Sequence, residues 1–114
     1  MQAFEMSLLF DYYGTLLTEK QREYLDMRYN QDMSLSEIAD SQGVSRQAVF
    51  DLLSRTEALL HRMEENIGYI QRDIQVRNAC RNIEKMAQEL QQHPDLTVAN
   101  AAKAILAAAH TLEE

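Results

Sequence analysis

Turn-forming residues are almost missing from this sequence of 114 residues: glycine occurs three times and proline once. An all-β sandwich or barrel needs far more punctuation than that. Tryptophan is absent, and Cys80 is the single cysteine, so no internal disulfide can form and a reducing, cytoplasmic setting is expected. The longest apolar run, residues 104–109, is six long, against roughly 18 needed to span a bilayer, so membrane insertion is not expected. The opening Met1-Gln2-Ala3-Phe4-Glu5 has no positive segment followed by an apolar one, so no secretory leader is expected. Bases are also few. Eleven Lys and Arg face 18 Asp and Glu, a formal charge of -7 that argues against a generic coat for nucleic acid.

What remains is helix. Phe4, Leu8, Leu9, Tyr12 and Tyr13 share one side of a first helix that Gly14 ends. Thr18-Glu19-Lys20-Gln21 is a capping box, and the helix it opens points Tyr24, Leu25, Met27 (or Arg28) and Tyr29 inward before stopping near residues 30–32. Ser34-Leu35-Ser36-Glu37 is a second box, followed by Ile38 and Ala39 and a stop at Gln42-Gly43. Ser45 caps a third start, with Ala48, Val49, Leu52 and Leu53 on its inner face. From there nothing compels a stop before Pro94, although Gly68 permits a kink. Leu60, Met63, Ile67, Ile70 and Ile74 step by three and four as a short coiled-coil seam, continued by Val76, Cys80, Ile83, Met86 (or Ala87) and Leu90. A last helix, capped by Asp95 or Thr97, offers Ala99, Ala102, Ile105, Leu106, Ala109 and Leu112 for close packing.

Two short capped helices around a glycine turn are what a helix-turn-helix requires. Ala39 lets the helices cross closely, and Ile38, Val44, Val49 and Leu52 fill the core beneath. Ser45, Arg46, Gln47, Phe50, Asp51 and Ser54 then face outward, as a recognition helix must. Arg46 suits guanine, Gln47 adenine, and Ser45 a phosphate at the helix start. Lys20, Arg22, Arg46 and Arg55 are the cations available to a backbone.

The run from Leu16-Leu17-Thr18 through Arg55 resembles the helix-turn-helix of bacterial sigma factors that contacts the -35 promoter element. More closely, Leu9-Phe10-Asp11-Tyr12-Tyr13, Leu17-Thr18-Glu19-Lys20-Gln21-Arg22, Ser34-Leu35-Ser36-Glu37-Ile38-Ala39 and Val44-Ser45-Arg46-Gln47-Ala48-Val49 resemble the YlxM family over residues 4–74. The resemblance implies a small regulator linked to the signal recognition particle pathway. Sigma factors carry several bases along the recognition helix, whereas here Asp51 stands with only Arg55. Residues 34–56 hold three acids and two bases, so the motif itself is not basic.

Catalysis has no foothold. His61, His93 and His110 are far apart, with no cysteine pair, so neither zinc nor any other cofactor is expected. Cys80 sits on the apolar stripe as a small hydrophobe, and Glu64-Glu65 and Glu113-Glu114 read as solubility charges. Tyr12, Tyr13, Tyr24 and Tyr29 sit at core spacing, and Arg72, Arg77, Arg81 and Lys85, mixed with Asp73, Glu84 and Glu89, make a solvated face. The expectation is an all-α, non-enzymatic protein: a sigma-like helix-turn-helix domain over residues 1–60, then a long helix and helical extension over 61–114. Its site would be Thr18, Lys20, Ser45, Arg46, Gln47, Phe50, Ser54 and Arg55, on duplex DNA. A homodimer is expected through Leu60, Met63, Ile67, Ile70 and Ile74. The alternative is an accessory protein that contacts signal recognition particle protein or RNA without binding DNA.

Overall fold

The computed structural model describes residues 3–113, with side chains from Glu5 onward. The expected inward position of Phe4 lies outside those side chains. The fold is all-α, and no strand occurs among the described residues: α1 (Ala3–Tyr13), a 3-10 turn (Gly14–Leu16), α2 (Glu19–Leu25), a π-type turn (Asp26–Asn30), α3 (Leu35–Gln42), α4 (Arg46–Ile67), α5 (Tyr69–Leu90) and α6 (Leu96–Glu113). The chain divides into two compact units, Met1–Ile70 and Gln71–Glu114.

In the first unit both capping boxes form. Thr18 Oγ1 accepts from Gln21 N at 3.2 Å, and Gln21 Oε1 accepts from Thr18 N at 2.9 Å. Ser34 Oγ accepts from Glu37 N at 3.1 Å, and Glu37 Oε1 accepts from Ser34 N at 3.0 Å, which holds the Glu37 carboxyl below its ordinary range. Each box satisfies two donors that a helix start leaves orphaned. The core gathers Met6, Leu9 and Tyr13 of α1, Leu17, Tyr24 and Leu25, Met27, Ile38 and Ala39 of α3, and Val49, Leu53 and Leu60 of α4. Met27, not Arg28, is the buried member of its pair. The helix ends by widening, since Gln31 N donates to Asp26 O five residues back, and Asp26's carboxylate accepts from Asn30 Nδ2 at 2.8 Å and Gln31 Nε2 at 2.7 Å. Those two amides hold the Asp26 carboxyl below its usual range.

Two inward expectations fail. The buried stripe of α4 runs Val49, Leu53, Thr56, Leu60, and Ala48 lies about 100° to one side of it, exposed. Val44 is exposed too. Gly43, at φ +66°, turns the chain, and Val44 N bonds back to Ala39 O at 3.1 Å, which completes the α3 exit but leaves the valine outside.

The long helix expected from Ser45 to Pro94 is broken at Gly68. Its φ of +67° is left-handed, and its N–H closes α4 on Glu64 O at 2.8 Å. The first donors of α5 are then met from elsewhere. Tyr69 N donates to the Tyr13 hydroxyl at 3.1 Å, and Ile70 N to Glu64 Oε1 at 3.0 Å. The Tyr13 hydroxyl in turn donates to Glu64 Oε1 at 2.5 Å. The seam foreseen across this point is therefore not continuous: Leu60 and Ile70 lie in the first unit's core, Met63 packs against it, and Ile67 and Ile74 are exposed. Ile70 packs on that core, and the first compact unit ends with it.

The second unit pairs the rest of α5 with α6, antiparallel. Cys80 and Ala87 are buried on one helix and Ala99, Ala102 and Ala109 on the other, so small side chains line the contact. Glu84 Oε1 and His110 Nε2 lie 3.4 Å apart along one edge. Asp95 is the α6 cap, its Oδ1 accepting from Thr97 N at 2.8 Å. Ile105 and Leu112, placed on the packing face by their spacing, are exposed; of Met86 and Ala87 the alanine is the buried member, and Leu90 is exposed at the end of its stripe. Burial pushes the Cys80 thiol up, and the carboxylates of Glu113 and Glu84 add to it.

Tyr13→Phe leaves two part-buried polar partners short of a bond, and should cost about 1 kcal/mol in urea unfolding. Gly68→Ala meets no atom within 4 Å of the new Cβ, so its penalty is backbone strain alone, about 1–2 kcal/mol. Burial, with the hydrogen-bonded Glu57 carboxylate, raises Tyr29 to about 12, and burial with Glu64 raises Tyr13. The folded state thus favours the protonated phenols, and stability present below pH 10 should be lost as pH rises from 10 toward 12. Thermal melts across that window check it: Tyr29→Phe should flatten the alkaline fall.

Candidate nucleic-acid interface

The exposed surface of the helix-turn-helix is built by α3, the Gly43 turn and the first three turns of α4. Ser45 is the α4 cap, its Oγ accepting from Ala48 N at 3.0 Å. That hydroxyl is thereby committed to the helix, and an anion at this end would meet the backbone N–H groups of Arg46 and Gln47 instead. Arg46 is exposed, and among the described residues its guanidinium has no hydrogen bond or ion pair. With Gln47, Phe50 and Leu35 it lines an open hollow of about 300 Å³, and Phe50 is 51% exposed there. Leu35 is the member that the sequence reading missed; as the first residue of α3 it sits where the second capping box delivers it.

A second hollow of about 300 Å³ is lined by Thr18, Lys20, Gln21, Leu52, Arg55 and Thr56. Three of the sequence-derived site residues, Thr18, Lys20 and Arg55, are therefore neighbours although they come from α2 and α4. Lys20 Nζ stands 5.8 Å from the centroid of the Tyr24 ring, and Arg55 Nε donates to Asp51 O at 3.3 Å. Thr18 and Gln21 are already bound to each other in the capping box. Ser54 is exposed on α4. Arg22 is withdrawn: its Nη1 donates to Leu17 O at 3.0 Å, and the side chain is half-buried.

The charge that limits this face is Asp51. Its Oδ1 accepts from Gln47 Nε2 at 3.0 Å, so the amide that would read a base is held along the helix by a carboxylate. Phosphate approaching α4 meets Arg46 and Arg55 with that carboxylate between them in sequence. Residues 1–70 carry 12 acids and six bases, so the unit that presents the motif is the more acidic part of the chain. Of the five tyrosines of this unit only Tyr69 is well exposed, so they form no stacking platform. Tyr13 and Tyr24 are buried, and Tyr12 and Tyr29 are half-buried, Tyr12 edge-on to Tyr69 at 5.6 Å.

No group of three His, Cys, Asp or Glu side chains among the described residues is placed to hold a metal, and no helix there is long and apolar enough to cross a membrane.

Residues 1–99 match the model of a family described as "Putative helix-turn-helix protein, YlxM / p13 like". The UPF0122 protein of Symbiobacterium thermophilum is 43% identical over 103 residues, which cover 90% of this chain and 92% of that one. The UPF0122 protein of Acetivibrio thermocellus is 44% identical over 84 residues, 74% of this chain and 72% of its own. That of Halalkalibacterium halodurans is 52% identical over 65 residues, 57% and 60% of the two chains. The matched stretch runs through both capping boxes, the Gly43 turn and the whole of α4, and the chain belongs to the UPF0122 family of helix-turn-helix proteins.

Proposed function

We propose that this protein is a DNA-binding regulator that lays the first turns of α4 in the major groove. The observation that carries the reading is the unpaired, exposed Arg46 at the start of α4, beside Gln47 and the half-exposed Phe50. An arginine there suits the paired acceptors of guanine, and a phenyl edge suits a thymine methyl. Gln47 reads adenine only after exchanging its bond to Asp51 for the base. Lys20 and Arg55, which line one hollow, serve phosphates on the flank, with Thr18 and Ser54 at their edges. Three cations against a nearby carboxylate make a weak site for one copy at physiological salt.

A second reading rests on the charge. With 12 acids and six bases in its unit, the same face, Phe50 and Val44 included, suits a basic protein partner, and the family resemblance points to a component of the signal recognition particle. Selection from a randomised duplex pool separates the two. The DNA reading expects an enriched motif with at least one guanine. Arg46→Ala should then cost about 1–3 kcal/mol and relax preference at a single base position. Asp51→Asn should strengthen binding to every duplex, since it removes a repulsive charge. A pool that yields no motif, with Asp51→Asn no tighter than the parent, would sink the DNA reading.

A further inference from the structure

The second unit has two unlike sides. On α5, at about 100° per residue, Cys80 and Ala87 point to α6, Glu84 lies to one side of them, and Met86 and Leu90 to the other. On α6, Ala99, Ala102 and Ala109 point to α5, with His110 and Glu113 to one side and Ile105 and Leu112 to the other. The Glu84–His110 approach, and the hollow lined by Arg77, Arg81, Glu84 and Glu113, place the polar edges of both helices together. In an antiparallel pair the remaining edges must then also fall together. They form one apolar side, on which Met86 is 57% exposed, Leu90 44%, Ile105 45% and Leu112 64%. Ala101 and Ala108 lie on that side as shallow places between the larger side chains.

We infer that this side of the α5–α6 hairpin is a homodimer interface, closed by the same side of a second copy into a four-helix bundle. Its size fits. Eighteen residues of α6 give about 27 Å of helix, and two helices 8–10 Å apart give a width of roughly 20 Å. Each copy offers about 500 Å², and the pair together reaches about 1,000 Å², the lower bound for a specific interface. Its charge fits as well. Residues 71–114 hold six acids and five bases, so pairing here brings almost no like charge together, whereas pairing through residues 1–70 would oppose two strongly acidic surfaces. Its relief is self-complementary: a two-fold axis can set Met86 and Ile105 of one copy against the alanines of the other. The interface differs from the seam that periodicity suggested, which the break at Gly68 splits and whose Leu60 and Ile70 the first unit buries.

Sedimentation of the full chain decides it. One copy has a mass of 13.2 kDa, and the proposal expects a species of twice that at micromolar concentration. Met86→Glu with Ile105→Glu, both exposed in the single copy, should sediment at 13.2 kDa with undiminished helical circular dichroism. Should that pair disturb the hairpin, Leu112→Glu alone, in the last turn of α6, should still weaken dimerisation at least tenfold. Ile67→Glu with Ile74→Glu should leave the dimer intact. A parent chain that sediments as one copy overturns the proposal, and so does a dimer that survives the Met86 and Ile105 changes. If the Ile67 and Ile74 pair is the one that dissociates it, the interface lies at the Gly68 break and the assignment is wrong.

Discussion

The hydrogen-bonded knot of Tyr13, Glu64, Tyr69 and Ile70 holds three helices at one point. A carboxylate on α4 accepts from a phenol on α1 and from the second amide of α5, Ile70 N, while the same phenol accepts from the opening amide, Tyr69 N. Removing the Tyr13 hydroxyl or the Glu64 carboxylate leaves the remaining groups short of a bond in a part-buried place, where the loss costs free energy. The knot also explains how one glycine ends a helix that its neighbours would continue. Gly68 supplies the left-handed residue at no Cβ penalty, and Tyr13 and Glu64 supply the partners that a new helix start lacks. With α5 redirected, Ile70 can join the core beneath the motif.

That arrangement marks the limit of what could be read along the chain. The two capping boxes, the Ser45 cap, the Gly43 turn and the buried positions Ile38, Ala39, Val49 and Leu53 are local or periodic signals, and the structure bears each of them out. The break at Gly68 is not local. It depends on a tyrosine 55 residues upstream, and no window around the glycine contains that information. Ala48 and Val44 were misplaced for a smaller reason, because a helix stripe defined by apolar residues alone can be phased on either side of its true centre. In the second unit the apolar period was real: Cys80, Ala99, Ala102 and Ala109 lie inward as their spacing suggested, while Ile105 and Leu112 of the same stripe stay exposed.

The grouping of the candidate site was half legible. Arg46, Gln47 and Phe50 are close in sequence, so helical spacing alone unites them. Thr18 and Lys20 meet Arg55 only because α2 packs against α4, which no sequence pattern announced. The bond from Gln47 to Asp51 was open to inference from the four-residue spacing and changes the meaning of the site. The glutamine is held in an orientation of its own before any base arrives, and exchanging that bond lowers the net gain from adenine. On the proposed DNA reading, specificity would then rest mainly on Arg46.

The weak charge of the motif and the bare side of the second unit are consequences of one distribution of residues. Residues 1–70 hold twice as many acids as bases, which would weaken any approach to a phosphate backbone, and the hairpin that follows is nearly neutral. A single recognition helix with three usable cations gains little from DNA at physiological salt. If two copies join through their hairpins as proposed, a second helix would reach the same duplex, and the second contact would form at the effective concentration set by the first. Affinity built in this way depends on whether two half-sites stand at the spacing that the dimer allows. A strongly basic monomer would bind almost anywhere, whereas a weak motif used in pairs discriminates by geometry as well as by base contacts.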